Sequence, residues 1–386
     1  MRRWLLAAAL ILHSLTGAGA EPVRIGLVLT MSGPSAALGQ HVRDGFHLGL
    51  KLGGGRLGPS EAEIELVDDE RSAARAGQAA EAMAKAKSPA FIVGPLFSEL
   101  IAPVLKAATP AGTIVLSPHA GPALLAGKRC QPNFFSLAPQ DDQAIEVLTK
   151  FAEERNLRRA IIVSTAGEEA EIAATAFRRT FKGEVADRLL IDVAASDFSD
   201  ALNRIDILKP QALFLHVSGA AGARFIAELH RSGAGSGPVL LGSFGFDQAD
   251  VAFQGDAVIG AYSGGDWAQG VPGAASAAFV AAFEAEYGYA PGAAAMRGFD
   301  AARLISKALE ATSGKTTDRT ALADAIRQAD IESSRGKFIF GNNNFPIQDL
   351  YLTRVEKHTD GKNRVTAVRQ VFAQYGDHYA AECPQK

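Results

Sequence analysis

The chain has 386 residues, 47% of them hydrophobic and 21% charged, with a formal net charge of −3. That length exceeds the size at which a single hydrophobic core stops growing, so two domains are predicted. The charge balance and the lack of any basic stripe exclude a nucleic-acid partner.

Arg2 and Arg3 precede an apolar run from Trp4 to about Leu15, and Ala18-Gly19-Ala20 then stands before Glu21. This is the pattern of a secretory signal over residues 1–20 with cleavage after Ala20, and it predicts a periplasmic protein. The run is shorter than the roughly 20 apolar residues a spanning helix needs. An uncleaved signal that tethers the chain to the membrane is the alternative. Loss of Arg2 and Arg3 leaves 37 Lys and Arg against 42 Asp and Glu, a net charge of −5.

Val23 to Thr30 is an apolar run ended by Ser32-Gly33-Pro34, as expected of a buried parallel strand. A helix is predicted from Leu38 to Leu52, then a strand at Ile64–Val67 and a helix over Ala73–Lys87. A strand at Ala90–Val93, a helix over Glu99–Ala108 and a strand at Thr113–Leu116 complete the first series. After Pro139 the same alternation resumes. Helices are expected at Asp141–Glu154, from Glu168, near Asp200 and from Ala220, and strands at Ala160–Val163, Arg188–Val193, Ala212–His216 and Val239–Gly242. Two helices, Ala274–Tyr287 and Ala294–Glu310, precede strand-like Lys337–Phe340, Leu350–Val355 and Val365–Phe372, which are expected to complete the two earlier sheets. Strands alternating with helices imply right-handed crossovers and parallel sheets. The fold class is therefore α/β, with two doubly wound parallel-sheet lobes.

Such sheets bind ligands outside the carboxyl ends of their strands. The residues just past the strands are mostly small, hydroxylated or glycine, and they include Ser35, Phe97 and Ser98, His119 to Gly121, Ser164 to Glu168, and Ser243 to Phe246. No enzyme motif survives inspection. The first strand is not followed by G-x-G-x-x-G, and neither G-x-S-x-G nor H-E-x-x-H occurs. Gly314-Lys315-Thr316 resembles the end of a phosphate loop, but Leu309 stands where its first glycine is required. Asp68-Asp69-Glu70 is expected to be a solvated acidic turn. His119 and His216 fall at strand ends and are candidate hydrogen-bonding partners of an acidic ligand. No nucleophile is positioned beside either, so no catalytic residue, cofactor or metal site is assigned. Cys130 and Cys383 form the only cysteine pair in an exported chain and are expected to be joined, since neither has a second Cys or His at metal-ligand spacing.

Ser32-Gly33-Pro34-Ser35-Ala36-Ala37-Leu38-Gly39, then Gly94-Pro95-Leu96-Phe97-Ser98, then Ser117-Pro118, in this order behind a signal, resemble the Leu/Ile/Val-binding branch of type I periplasmic binding proteins. The similarity spans essentially the whole mature chain. It implies two lobes, 21–139 with 265–335 and 140–264 with 336–386, joined by a three-stranded hinge near Pro139, Gly264-Gly265 and Ser334, with the ligand in the cleft. It also implies delivery of a small molecule to an inner-membrane ABC permease by a monomer that closes on its ligand. Ala380-Ala381-Glu382-Cys383-Pro384, with Cys130 and Phe345-Pro346-Ile347-Gln348-Asp349, looks like a subgroup whose ligands are often not amino acids.

In the amino-acid binders a serine of the glycine-proline loop, together with backbone and a threonine after Ser-Pro, holds the ligand carboxylate. Ser98 matches the serine. His119, with Ala120, falls where backbone contacts arise, and Gly121 falls on the threonine. The second-lobe tyrosine, second aromatic and glutamate correspond to Ala166, Gly219 and Phe244. A ligand ammonium needs an anionic partner once dehydrated, because leaving it unpaired costs several kcal/mol. With Phe244 in place of the glutamate and Phe246 nearby, the expected ligand is an apolar or aromatic carboxylate. The alternative is that Glu168, Asp247 or Asp266 takes an ammonium and an amino acid binds after all. Two rivals from other classes stand beside the transport reading: a hydrolase using His119, and a sensory module docking on a membrane receptor.

Overall fold

In the computed structural model, which describes residues 22–385 apart from Ser218, Gly245 and Phe253, the chain winds two α/β sheets in succession. The segment read as a signal lies outside the described residues. Among the described residues no helix is long and apolar enough to cross a membrane.

The first winding comprises β1 (Val23–Leu29), α1 (Ala36–Leu52), β2 (Arg56–Leu57), β3 (Ser60–Asp68), α2 (Ala73–Lys87), β4 (Phe91–Val93), α3 (Ser98–Ala108), β5 (Ile114–Ser117), α4 (Ala123–Ala126) and β6 (Phe134–Ser136). Its strands lie in the order β2-β3-β1-β4-β5-β6, parallel except for the short β2–β3 pair. Strands β4, β5 and β6 are buried at every residue, which is why they read as continuous apolar runs.

The second winding comprises α5 (Asp141–Glu154), β7 (Arg159–Ser164), α6 (Glu168–Thr180), β8 (Glu184–Leu190), α7 (Ser199–Leu208), β9 (Ala212–His216), α8 (Gly219–Ser232), β10 (Val239–Phe244), α9 (Gln248–Val251) and β11 (Tyr262–Gly265). There follow α10 (Ala274–Tyr287), α11 (Ala293–Ala311), α12 (Arg319–Gln328), β12 (Ile339–Phe340), β13 (Pro346–Lys357) and β14 (Asn363–Tyr375). The second sheet runs β12-β13-β11-β10-β9-β7-β8, with β14 paired to β13.

The late strands depart from the expectation that they complete both sheets: all three join the second, and they do so antiparallel. An antiparallel hairpin extends a sheet edge through a short turn, whereas each added parallel strand needs a crossover. The late helices serve the first winding instead. α11 packs along α1, with Gly45 and Gly298 at the contact; a Cβ on Gly45 would lie 1.9 Å from the Ala295 carbonyl oxygen, and one on Gly298 would lie 2.2 Å from that of Val42. Strand β8 starts earlier than its apolar stretch suggested. It is an edge strand paired only with β7, so Glu184, Asp187 and Arg188 can be accommodated there.

Phe338, Phe340 and Phe345 enter the first hydrophobic core with Phe134 and Phe135, although β13 just beyond them belongs to the second sheet. Cys130 and Cys383 are bonded, their Cα atoms 5.6 Å apart, which fastens the C-terminal end beside the first sheet.

Candidate functional site

The loops after β1, β4 and β5 on one side, and after β7, β9 and β10 on the other, line a single cleft of about 1720 Å³. This is where wound sheets place ligands, because the strand ends there are not covered by crossovers. Behind the cleft Arg335 donates to Leu137 O (2.6 Å), Asp266 (2.9 Å), Asp300 (2.9 Å) and Gln348 (2.9 Å). Arg297 forms a second buried ion pair with Asp266. Burial alone would raise the Asp266 carboxyl, but Arg297 and Arg335 outweigh it and hold the group below the usual carboxylate range. Asp266 is thereby committed, which removes it as a partner for a ligand ammonium.

On the first-sheet wall, Ser35 lines the cleft from the turn before α1. Phe97 precedes α3 and is buried; the Arg71 guanidinium lies 3.9 Å above its ring and the His119 ring meets it edge-on. Ser98 begins α3 and its Oγ donates to Asp141 Oδ2 at 3.3 Å. Ala120 is buried, its carbonyl accepting from Ser117 Oγ at 2.8 Å. The Gly121 N–H donates to Asp141 Oδ1 at 2.7 Å, so a backbone donor expected to face a ligand already holds a carboxylate.

On the second-sheet wall, Ala166 is exposed in the cleft just before α6. His216 ends β9 with its Nδ1 3.0 Å from Ser243 Oγ. Gly219 opens α8 and Phe244 closes β10; their side chains lie outside the described residues. Phe246 reaches the cleft but is only 3% exposed, packed in the second core against Gly242. Little of its ring is therefore open to a ligand. Asp247 caps α9, accepting from Ala249 N at 3.0 Å, and lines the same wall with Asp250.

The electrostatics divide into a neutral and an acidic part. Burial first, then Arg297, lowers His119 to about 4; burial, Arg188 and Arg71 lower His216 to about 4. Both imidazoles are therefore neutral at pH 7, each with one N–H and one lone pair. Around them gather carboxyl groups. Arg71 reaches Glu99 on α3 at 3.1 Å and Glu169 on α6 at 3.3 Å, joining the two walls. Burial, then the hydrogen bond with Glu99, pushes Glu169 up to about 8. Asp250 is pushed up to about 7 by burial, with Asp247 adding to the effect. Asp141 opens onto the cleft, yet protein surrounds it closely enough that desolvation raises it to about 6, against the lowering by Gly121 N–H and Ser98.

Sequence inspection past the strands missed Arg71, Glu99, Glu169 and Asp141. The last lies at the start of a helix, where Gln140 and Gln143 form a reciprocal cap, and not after a strand. Two carboxylates adjacent to that cap were the available signal. The acidic turn is solvated only in part: Glu70 is exposed and Asp68 half-buried, but Asp69 is fully buried, its Oδ1 accepting from Thr30 Oγ1 (2.6 Å) and Arg71 N (2.9 Å), and it builds the turn that presents Arg71. Among the described residues no group of three His, Cys, Asp or Glu side chains is placed to hold a metal ion.

A family model described as periplasmic binding protein matches residues 22–362. A Leu/Ile/Val-binding protein, BraC3 of Rhizobium johnstonii, is 25% identical over 346 residues, covering 83% of this chain and 87% of that protein. An ABC-transporter solute-binding protein of R. palustris, solved in complex with benzoate, superposes with a TM-score of 0.85 at 26% identity, covering 94% of this chain and 99% of that one. The branched-chain amino acid binder LivJ of Streptococcus pneumoniae, solved with isoleucine, has the same fold, with a TM-score of 0.81 at 21% identity over 91% of this chain and all of that one (100%).

Proposed function

The chain belongs to the periplasmic binding protein family, and from that premise we propose that it is the solute-binding component of an ABC importer, exported by residues 1–20 and acting in the periplasm as a monomer. Its ligand is an apolar or aromatic carboxylate held between the walls of the cleft. The observation that carries this reading is the convergence of Ser98 Oγ and the Gly121 amide on one carboxylate, with neutral His119 and His216 lining the same cleft from opposite walls. Similarity to a benzoate-bound solute-binding protein supports the same ligand class.

The moving bodies are residues 21–139 with 265–335 and 140–264 with 336–386, turning about Pro139, Gly264-Gly265 and Ser334. Phe338, Phe340, Phe345 and the Cys130–Cys383 bridge bind parts of the last segment to the first body. Ligand binding favours the closed arrangement, and the permease reads closure. Ser243 Oγ lies 3.0 Å from His216 Nδ1, but the family match supports a binder over a hydrolase.

A second reading, capture of a branched-chain amino acid, is favoured by Asp247 and Asp250, which give the second wall two carboxyl groups able to meet an ammonium. Calorimetric titration with benzoate, phenylacetate, leucine, valine and glutamate separates the two. Binding of the aromatic acids alone is expected. Micromolar capture of an unmodified amino acid would establish the second reading, and conversion of any of these compounds would restore the enzyme.

A further inference from the structure

One donor pair on the first wall of the cleft is occupied by the chain's own acid. Ser98 Oγ comes from the loop after β4 and Gly121 N–H from the loop after β5. They converge on the two oxygens of one group, the Asp141 carboxylate. Two donors placed one to each oxygen bind a carboxylate in a defined orientation. The amide cannot drift, because a Cβ on Gly121 would lie 2.4 Å from Pro139 O, so the chain is pressed against the start of α5.

We propose that Asp141 is an internal competitor for the carboxylate-binding donors of the cleft: an acid ligand takes Ser98 Oγ and Gly121 N–H only when the Asp141 carboxylate takes up a proton and releases them. Asp141 then determines selectivity, because a charged Asp141 beside the same donors repels a second carboxylate. The inference rests on the reading that the ligand carries a carboxylate.

The charged groups around Asp141 leave it little compensation. Asp142, on the same helix, is tied to Arg179 (2.7 Å) and the Tyr379 hydroxyl (2.8 Å). From α6 comes Glu169, with Glu99 of α3 and Arg71 engaged behind it. Asp141 stands at about 6 before the ligand arrives. A ligand carboxylate alongside raises it further, so acid binding is strongest below about pH 6. It weakens as pH rises, by up to about tenfold per unit until the bound-state value is passed.

The test is calorimetric titration of benzoate, phenylacetate and leucine into the full mature chain at about pH 5.5 and about pH 7.5, in buffers of different ionisation enthalpy, with Asp141→Asn and Asp141→Ala beside it. Wild type is expected to bind about tenfold or more weakly at the higher pH and to take up close to one proton per ligand there. In a Glu169→Gln background, which removes the other group that titrates on closure, both variants should bind alike at the two pH values, at least as tightly as that background alone at the lower one. The pH series and the proton count are also read on Glu169→Gln with Asp141 intact, so the outcome does not depend on an Asp141 variant folding. Wild-type binding that is independent of pH and takes up no proton overturns the inference alone, as does weaker binding by both folded variants at both pH values. Failure of every acid to bind any form overturns the carboxylate reading and the inference with it.

Discussion

Arg335 donates to Asp266 at 2.9 Å with both side chains sealed from solvent, and the same guanidinium reaches Asp300, Leu137 O and Gln348. Segments far apart in the chain, at residues 137, 266 and 335, are thus fastened by one side chain at the place where the chain passes between the two sheets.

Removing that cation strands buried carboxylates. Arg335→Met is expected to lower unfolding free energy by about 3–5 kcal/mol, because an uncompensated buried charge is costlier than the pair it came from. Urea denaturation of both proteins measures it. A loss below about 1 kcal/mol would mean that Arg297 alone suffices for Asp266 and that Asp300 is protonated.

Closure of the cleft should depend on pH through the Arg71, Glu99 and Glu169 cluster. Glu169 has its carboxyl raised to about 8, so the arrangement with both walls joined is favoured when the proton is bound. The advantage is full below the ordinary glutamate value and is lost as pH rises through about 8. The ligand-free chain is therefore expected to be more compact at about pH 6 than at about pH 9 by small-angle scattering, and Glu169→Gln to remain compact at both. Equal dimensions of wild type at the two pH values would count against it.

Helix α1 touches α11 without space for a side chain at Gly45. Gly45→Val places new atoms against the Ala295 carbonyl, whose oxygen would lie 1.9 Å from the added Cβ. A loss of about 3 kcal/mol or more is expected, at the upper end of overpacking effects because backbone must shift. Thermal denaturation reads it directly, and an unchanged midpoint would show that the two helices can part at little cost.

The bridge between Cys130 and Cys383 spans a sequence separation of 253 residues. Cutting it frees that loop in the unfolded chain, worth about 5 kcal/mol in the chain-entropy account and usually less in practice. Cys130→Ser with Cys383→Ser is expected to lower the urea midpoint. Thiol titration of the denatured, unreduced wild type should find no free thiol.

The sequence by itself determined the class of the fold and most of the elements that build it. Strands such as Ala212–His216 and helices such as Ala73–Lys87 carry their own periodicity and breakers, so local chemistry suffices to place them. It also indicated where to look, since Ser98, His119 and His216 all line the cleft. What it left out depends on partners distant in the chain. Tyr262-Ser263-Gly264-Gly265 becomes a strand only because β10 and β13 flank it, and β12 to β14 could not be assigned to a sheet until that free edge existed. The charges were undecided for the same reason. Asp266, Asp247 and Glu168 read alike as candidates for an ammonium, but two buried arginines claim Asp266. Asp141 is, in the sequence, only the start of a predicted helix, and the folding of Ser98 and Gly121 around it gives it a place in the site. Burial and through-space pairing set what a carboxylate does, and both are properties of the packed molecule, not of the neighbours along the chain.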